Sequence, residues 1–180
     1  VLKARGKDAN IRRAVVALPR SLFLDQASLA TVCTRVQFAA GNCPKRSIYG
    51  RAKAWTPLLD KPLEGPVYIG VGFGNALPDL VADLDGEARF ILHGRVDTTK
   101  HDGLRNTFEF VPDVPVTRFV LALKGGKRYG LLENSENICK RTQRASARFV
   151  AQNGKVAQLR PKIATSCKAK KAAKGGKRSR

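Results

Sequence analysis

Four glycine-containing turn pairs punctuate the chain from residue 85 onward: Asp85-Gly86, Asp102-Gly103, Gly125-Gly126 and Asn153-Gly154. Each is flanked by runs of strand-forming residues. A tight two-residue hairpin needs backbone angles with φ above zero, and Gly, Asn and Asp reach them at least cost. Four such signals in one stretch point to antiparallel strands joined by short turns. They constrain the fold and say nothing about a reaction.

The runs between the turns carry the same message. Strands are expected over 11–18, 47–55, 67–73, 80–84, 88–96, 104–111, 116–123, 145–152 and 155–159. In 47–55, Ile48, Gly50, Ala52 and Ala54 alternate with Tyr49, Arg51, Lys53 and Trp55, the period of a strand with two distinct faces. Residues 31–38 also alternate, with Val32, Thr34 and Val36 against Cys33, Arg35 and Gln37. The stretch 116–123 is apolar on both faces, which places it centrally. Residues 21–30 read as one or two helical turns capped by Ser21. Residues 56–65, with two prolines, read as an ordered connection. The resulting class is all-β: an antiparallel β-sandwich of roughly ten strands with little helix.

Residues 1–10 are polar and basic, a linker or the end of a truncated strand. Residues 11–167 form one β domain. Residues 168–180 are a Lys/Arg-rich tail of low complexity, expected to be disordered because they cannot bury enough apolar surface to order themselves. No run of ~18 apolar residues is present, and no leader-like segment. The chain starts at Val1 and contains no Met. It therefore reads as a mature fragment or the carboxyl-terminal part of a longer protein.

The net charge is +20. The tail contributes +7 of it through Lys168, Lys170, Lys171, Lys174, Lys177, Arg178 and Arg180, leaving +13 on residues 1–167. Such a field attracts polyanions, whether nucleic acid, anionic lipid or acidic wall polymer, and weakens with salt. Charge alone does not choose among them, and it also serves plain solubility. One loop has a more specific composition: Lys124-Gly125-Gly126-Lys127-Arg128-Tyr129-Gly130. It can offer backbone N–H groups and cations to an anion. It lacks P-loop spacing, and its alternative reading is a solvated hairpin tip. Lys124, Lys127 and Arg128 join the tail cations as candidate anion contacts.

Cysteines stand at 33, 43, 139 and 167. None forms a Cys-x-x-Cys pair, and His93 and His101 are the only imidazoles, so the set is a poor match to structural zinc. An even count in a small β-rich chain fits two disulfides and an oxidising compartment. Three connectivities are possible. Cys33–Cys43 is favoured because the loop between them is short, contains Gly41-Asn42 and is followed by Pro44. That leaves Cys139–Cys167. The alternative is four buried thiols in a reducing compartment.

The candidates for chemistry are sparse. Asp79, Asp83, Asp85 and Glu87 are the densest acidic cluster. Counted from Asp83, the twelfth position of a calcium loop holds Gly94 rather than the bidentate Glu that such a loop needs. Ser47, Ser135 and Ser146 lack Gly-x-Ser-x-Gly surroundings. His101 sits beside Asp102 without a local nucleophile, and His93 lies mid-strand. Trp55, Tyr49 and Tyr68 form either a small ligand platform or cross-strand packing. No catalytic, metal or cofactor residue is assigned, and a non-enzymatic role is expected.

Several longer strings add a resemblance. LPRSLFLDQASLATVCTRVQFAAGNCPKRSIYG (18–50), TPLLDKPLEGPVYI (56–69), LPDLVADLDG (77–86), FVLALKGGKRYGLLENSENIC (119–139) and AQNGKVAQLRPKI followed by Cys167 resemble a β domain of large, uncharacterised secreted bacterial proteins. There the domain resembles the last of a series of related extracellular units. The resemblance implies an exported, disulfide-bonded β domain near a carboxyl terminus, with neighbouring domains of the same longer chain as partners. It carries over no catalytic residue and no ligand. The expected function is a structural or adhesion module, extracellular or in the cell envelope, whose basic tail contacts anionic wall polymer or a membrane surface. The rival expectations are a nucleic-acid or other polyanion-binding protein and a hydrolase of a surface polymer.

Overall fold

The computed structural model describes residues 1–167 apart from 7, 28, 30, 71–76, 101–102 and 127–129. Within them the chain forms β1 (Leu2–Lys3), β2 (Ile11–Ala17), β3 (Leu22–Leu24), helix α1 (Arg35–Ala39), β4 (Ile48–Trp55), β5 (Leu63–Gly70) and β6 (Asp79–Leu84). There follow β7 (Phe90–Thr98), β8 (Leu104–Phe108), β9 (Arg118–Leu123), β10 (Leu132–Asn134), β11 (Ser146–Ala151) and β12 (Val156–Leu159). The expected antiparallel all-β class is the observed one. Ten strands make one curled antiparallel sheet in the order β1-β9-β4-β5-β6-β7-β8-β2-β11-β12, and β3 pairs with β10 in a small second sheet.

The core follows from alternation. Ala52 and Ala54 on β4, Val67 and Ile69 on β5, Leu80, Ala82 and Leu84 on β6, and Leu92 and Val96 on β7 all turn to one face and are buried. Phe119, Leu121 and Leu123 of β9 and Leu104 and Phe108 of β8 pack against the same cluster, although these strands lie on opposite sides of the centre. Curling of the sheet brings both flanks to one core. Leu24 of β3 and Leu131, just before β10, join the cluster from the small sheet. Full burial of a side chain such as Ile69 or Leu131 contributes roughly 1.5–3 kcal/mol. Gly65 is required where the backbone of β6 passes: a Cβ there would stand 1.8 Å from the Asp83 carbonyl oxygen.

Turn chemistry and long-range pairing divide the four glycine pairs. Asn153-Gly154 is a hairpin turn, with Gly154 at φ 82° and Val150 paired with Val156 across it. The Gly154 N–H donates to the Ala151 carbonyl at 3.0 Å, and Asn153 Oδ1 accepts from the Lys155 N–H at 3.1 Å. This is the three-residue hairpin in which a left-handed glycine follows the turn. Asp85-Gly86 also lies between paired strands, yet Gly86 is not left-handed. Asp85 instead exchanges backbone hydrogen bonds with Glu64, and that third strand shapes the connection. Gly103 lies under the Pro19 carbonyl and donates its N–H to Leu18 at 2.8 Å; Asp102 is outside the described residues. Gly125-Gly126 ends β9 but makes no hairpin, because the next strand, β10, pairs with β3.

Other local expectations are corrected. Residues 31–38 hold a helix start, not a strand. Thr34 caps α1, its Oγ1 accepting from the Gln37 N–H at 3.2 Å while Gln37 Oε1 accepts from the Thr34 N–H at 2.9 Å. That reciprocal capping box outweighs a chance alternation. Ser21 caps no helix: it is buried before β3 and donates to Gln143 Oε1 at 3.0 Å. A bulge between Ile48 and Gly50 turns Tyr49 into the core, against the simple alternation of β4. β9 is not central, since only two-residue β1 lies beyond it. β5 starts at Leu63, inside the expected connection.

Candidate anion-contact surface

The opposite face of the sheet carries the charge. Arg51, Lys53 and Trp55 of β4 turn outward, and Trp55 stands opposite Arg118 of β9, which in turn stands opposite Lys3 of β1. Lys3, Arg118 and Trp55 therefore form one cross-strand row. The Arg118 guanidinium carbon lies 4.7 Å from the Trp55 ring centroid, and Lys53 Nζ lies 5.4 Å from it. The ring quadrupole attracts both cations. The Thr117 N–H and hydroxyl both donate to the Trp55 carbonyl, at 2.9 and 3.2 Å, and so fix the entry into β9.

Within this patch the cations differ. Lys53 pairs with Glu64 at 2.9 Å. Its hydrogen bond and charge, with a smaller contribution from Arg51, hold the Glu64 carboxyl below the usual carboxylate range. Arg118 makes no ion pair among the described residues. It is a guanidinium steadied by an aromatic ring, and no described residue accepts a hydrogen bond from it.

The middle of the same face is already neutralised. Arg105 grips Asp97 in a bidentate pair at 2.7 Å, which lowers the Asp97 pKa. Arg89 grips Asp83 likewise at 2.8 Å, which raises the Arg89 pKa. Glu109 lies between Arg13 at 2.7 Å and Arg95 at 3.9 Å.

The loop closed by Cys33 and Cys43 covers β5 to β7 on this side. The Cys33 N–H donates to the Ile69 carbonyl at 2.8 Å, continuing the sheet beyond the first residue of β4. Phe38 of α1 meets Tyr68 edge-on at 5.8 Å and His93 at 6.4 Å. Burial, and then the Asp83 charge, push the Tyr68 pKa up, offset in part by Arg89. Tyr49 is in the core, Tyr68 under Phe38 and Trp55 beside Arg118, so the three aromatics share no platform.

The cysteines pair as favoured. Cys33–Cys43 spans 5.2 Å between Cα atoms and Cys139–Cys167 spans 5.7 Å. The other candidates are dispersed. Lys124 donates its ammonium to the Ile48 carbonyl and its N–H to the Tyr49 carbonyl, which ties it to the start of β4. Lys127, Arg128, Lys168, Lys170, Lys171, Lys174, Lys177, Arg178 and Arg180 lie outside the described residues, as does His101.

The acidic cluster does not converge on one point. Asp79 Oδ1 accepts from the Val96 N–H at 3.2 Å, Asp83 holds Arg89, Asp85 pairs through its backbone, and Glu87 Oε1 accepts from the Lys61 N–H at 3.0 Å. Ser47 is fully buried and donates to the Pro44 carbonyl. Ser135 donates to the Arg20 carbonyl at 3.3 Å.

Arg118 and Lys3 were absent from the candidates read off the sequence. Their place beside Trp55 depends on the register of β1, β9 and β4. The only local signal is Trp55 two residues after Lys53 on an alternating strand. No protein-family model, no curated protein and no solved structure matches the chain.

Proposed function

We propose that this chain is a non-enzymatic β module that works outside the cytosol, extracellularly or in the cell envelope, and holds an anionic surface polymer. The observation that carries the reading is Arg118, held against Trp55 in one row with Lys3 and free of any described carboxylate. The field behind it is broad, because residues 1–167 keep +13 of the +20 net charge. Two disulfides support an oxidising compartment, since such bridges persist where thiols are not kept reduced. Neighbouring units of a longer chain are its structural partners in this reading, and the tail adds cations to the same field.

The test uses the full chain, the chain without 168–180 and the Arg118→Gln variant, with glycerol-phosphate polymer as the probe. Binding of the full chain should persist near 150 mM salt, and each change should weaken it. Each lost phosphate contact lowers the slope of log affinity against log salt by about one or less. Unchanged binding in both altered proteins would remove the basis for the reading. Single-stranded DNA is the competitor: if it displaces the polymer at far lower phosphate concentration, nucleic acid is the better ligand.

A further inference from the structure

The sheet has two outer strands, and they are unlike. β1 is two residues long and offers little to pair with. β12 is a longer edge: residues 153–162 are exposed. Val156 and Leu159 keep 49% and 54% of their surface open, unusual for apolar residues in a ten-stranded sheet. Between Lys155 and Arg160 there is no proline, glycine or bulge to blunt the edge.

Register tells which backbone groups are free. The Ala151 N–H donates to the Lys155 carbonyl at 2.8 Å and the Ala145 N–H to the Pro161 carbonyl at 3.0 Å. Antiparallel pairs alternate between those that exchange hydrogen bonds and those that do not. Ala157 and Leu159, opposite Phe149 and Ala147, therefore turn their N–H and C=O groups toward β11. Val156, Gln158 and Arg160 turn theirs outward. Of these, only the Arg160 carbonyl has a described partner, the Arg144 guanidinium at 2.8 Å.

The flanking charges select what can use this edge. Lys155, Arg160 and Lys162 are exposed and make no ion pair among the described residues. Residues 153–162 hold three cations and no acid, so a second copy pairing here would bring like charge to like. Directly opposed like charges destabilise a strand pair, and opposite charges stabilise it. We propose that β12 is a docking edge for an extended acidic strand of a partner polypeptide, which adds to the sheet as an eleventh strand. Its backbone would bond to Val156, Gln158 and the Arg160 N–H. Its carboxylates would meet Lys155 at one end and Arg160 and Lys162 at the other. Main-chain bonds give such augmentation its affinity, and the flanking side chains give it selectivity. This goes beyond polymer contact at Arg118, which lies at the other end of the sheet.

The test is titration with a capped eight-residue peptide carrying two glutamates at each end and alternating threonine and valine between them. The wild-type chain should bind it saturably, and Gln158→Pro should abolish binding. Proline there removes an outward N–H and leaves the β11 ladder intact, so the variant should keep its fold by circular dichroism. Lys155→Glu with Arg160→Glu should weaken binding about tenfold and favour the lysine-ended version of the peptide. A peptide with proline at its centre should not bind. Absence of binding to wild type overturns the proposal, as does equal binding by folded Gln158→Pro or retention of the proline peptide. If the protein self-associates and Gln158→Pro abolishes it, the edge takes a second copy, and the acidic-strand proposal fails.

Discussion

Strands β5 and β12 belong to one sheet and share nothing in their surroundings. β5 has neighbours on both edges and the core beneath it, with Val67 and Ile69 almost wholly buried. On its other face α1 lies over Tyr68. β12 has one neighbour and is exposed at every residue. The difference separates two kinds of work. The centre supplies cohesion, and its cations are matched by carboxylates. The margins, at Arg118 on one side and β12 on the other, keep charge and backbone groups that the fold does not use. Surface available for binding lies where packing makes the fewest demands.

The largest effect should come from breaking the centre. Ile69→Ala removes a fully buried side chain next to the Cys33 contact, and should cost about 2–5 kcal/mol in urea unfolding. A loss below ~1 kcal/mol would mean that the centre is not the cohesive region.

Removing each disulfide sharpens the comparison further. Loop entropy alone favours Cys139–Cys167, whose cysteines are 28 residues apart against 10 for Cys33–Cys43, and each bridge should contribute roughly 3 kcal/mol. Cys33, however, is buried at 2% exposure against the end of β5. Cys33→Ala with Cys43→Ala should therefore match or exceed the loss from Cys139→Ala with Cys167→Ala, despite the shorter loop. A clearly smaller loss would mean that the loop over β5 contributes only by chain restriction.

Acid should probe the neutralised middle of the outer face. Arg105 depresses the Asp97 pKa, so the contribution of this pair is present above the ordinary value of 3.8 and is lost as pH falls below it. The pair is partly exposed, and its share should stay under about 1 kcal/mol. Urea midpoints from pH 6 to pH 2 should fall less for Arg105→Gln than for wild type. The smallest effect should be at the margin, where Leu159→Ala should change stability by no more than about 0.5 kcal/mol. A larger change would mean that β12 is packed against something and is not a free edge.

What was legible in the sequence follows the same division. Asn153-Gly154 was readable because everything that makes the turn lies within a few residues. The cysteine pairing was readable for a similar reason: one loop is short, and the other pair follows. Asp85-Gly86 misled in detail because Glu64, far along the chain, pairs with Asp85 and shapes the connection. The Thr34 capping box was present in the sequence but competed with an equally visible alternation. The bulge at Tyr49 shifted one residue from the outer face to the core without any local sign. The row of Lys3, Arg118 and Trp55 was the least legible, because these residues are joined only by strand register. Lys124 looked available, but its ammonium is engaged by the Ile48 carbonyl.

The division of labour between centre and margin is tested most directly at Arg118. The measurement is the affinity of wild type and Arg118→Gln for glycerol-phosphate polymer near 150 mM salt, with both unfolding midpoints recorded on the same samples. The expected result is weaker binding by the variant and an unfolding midpoint that moves little, because the cation–ring contact is exposed and worth at most about 1 kcal/mol. Unchanged affinity with a clear loss of stability would contradict it: Arg118 would then be part of the scaffold, and its row with Trp55 and Lys3 would not be a binding surface.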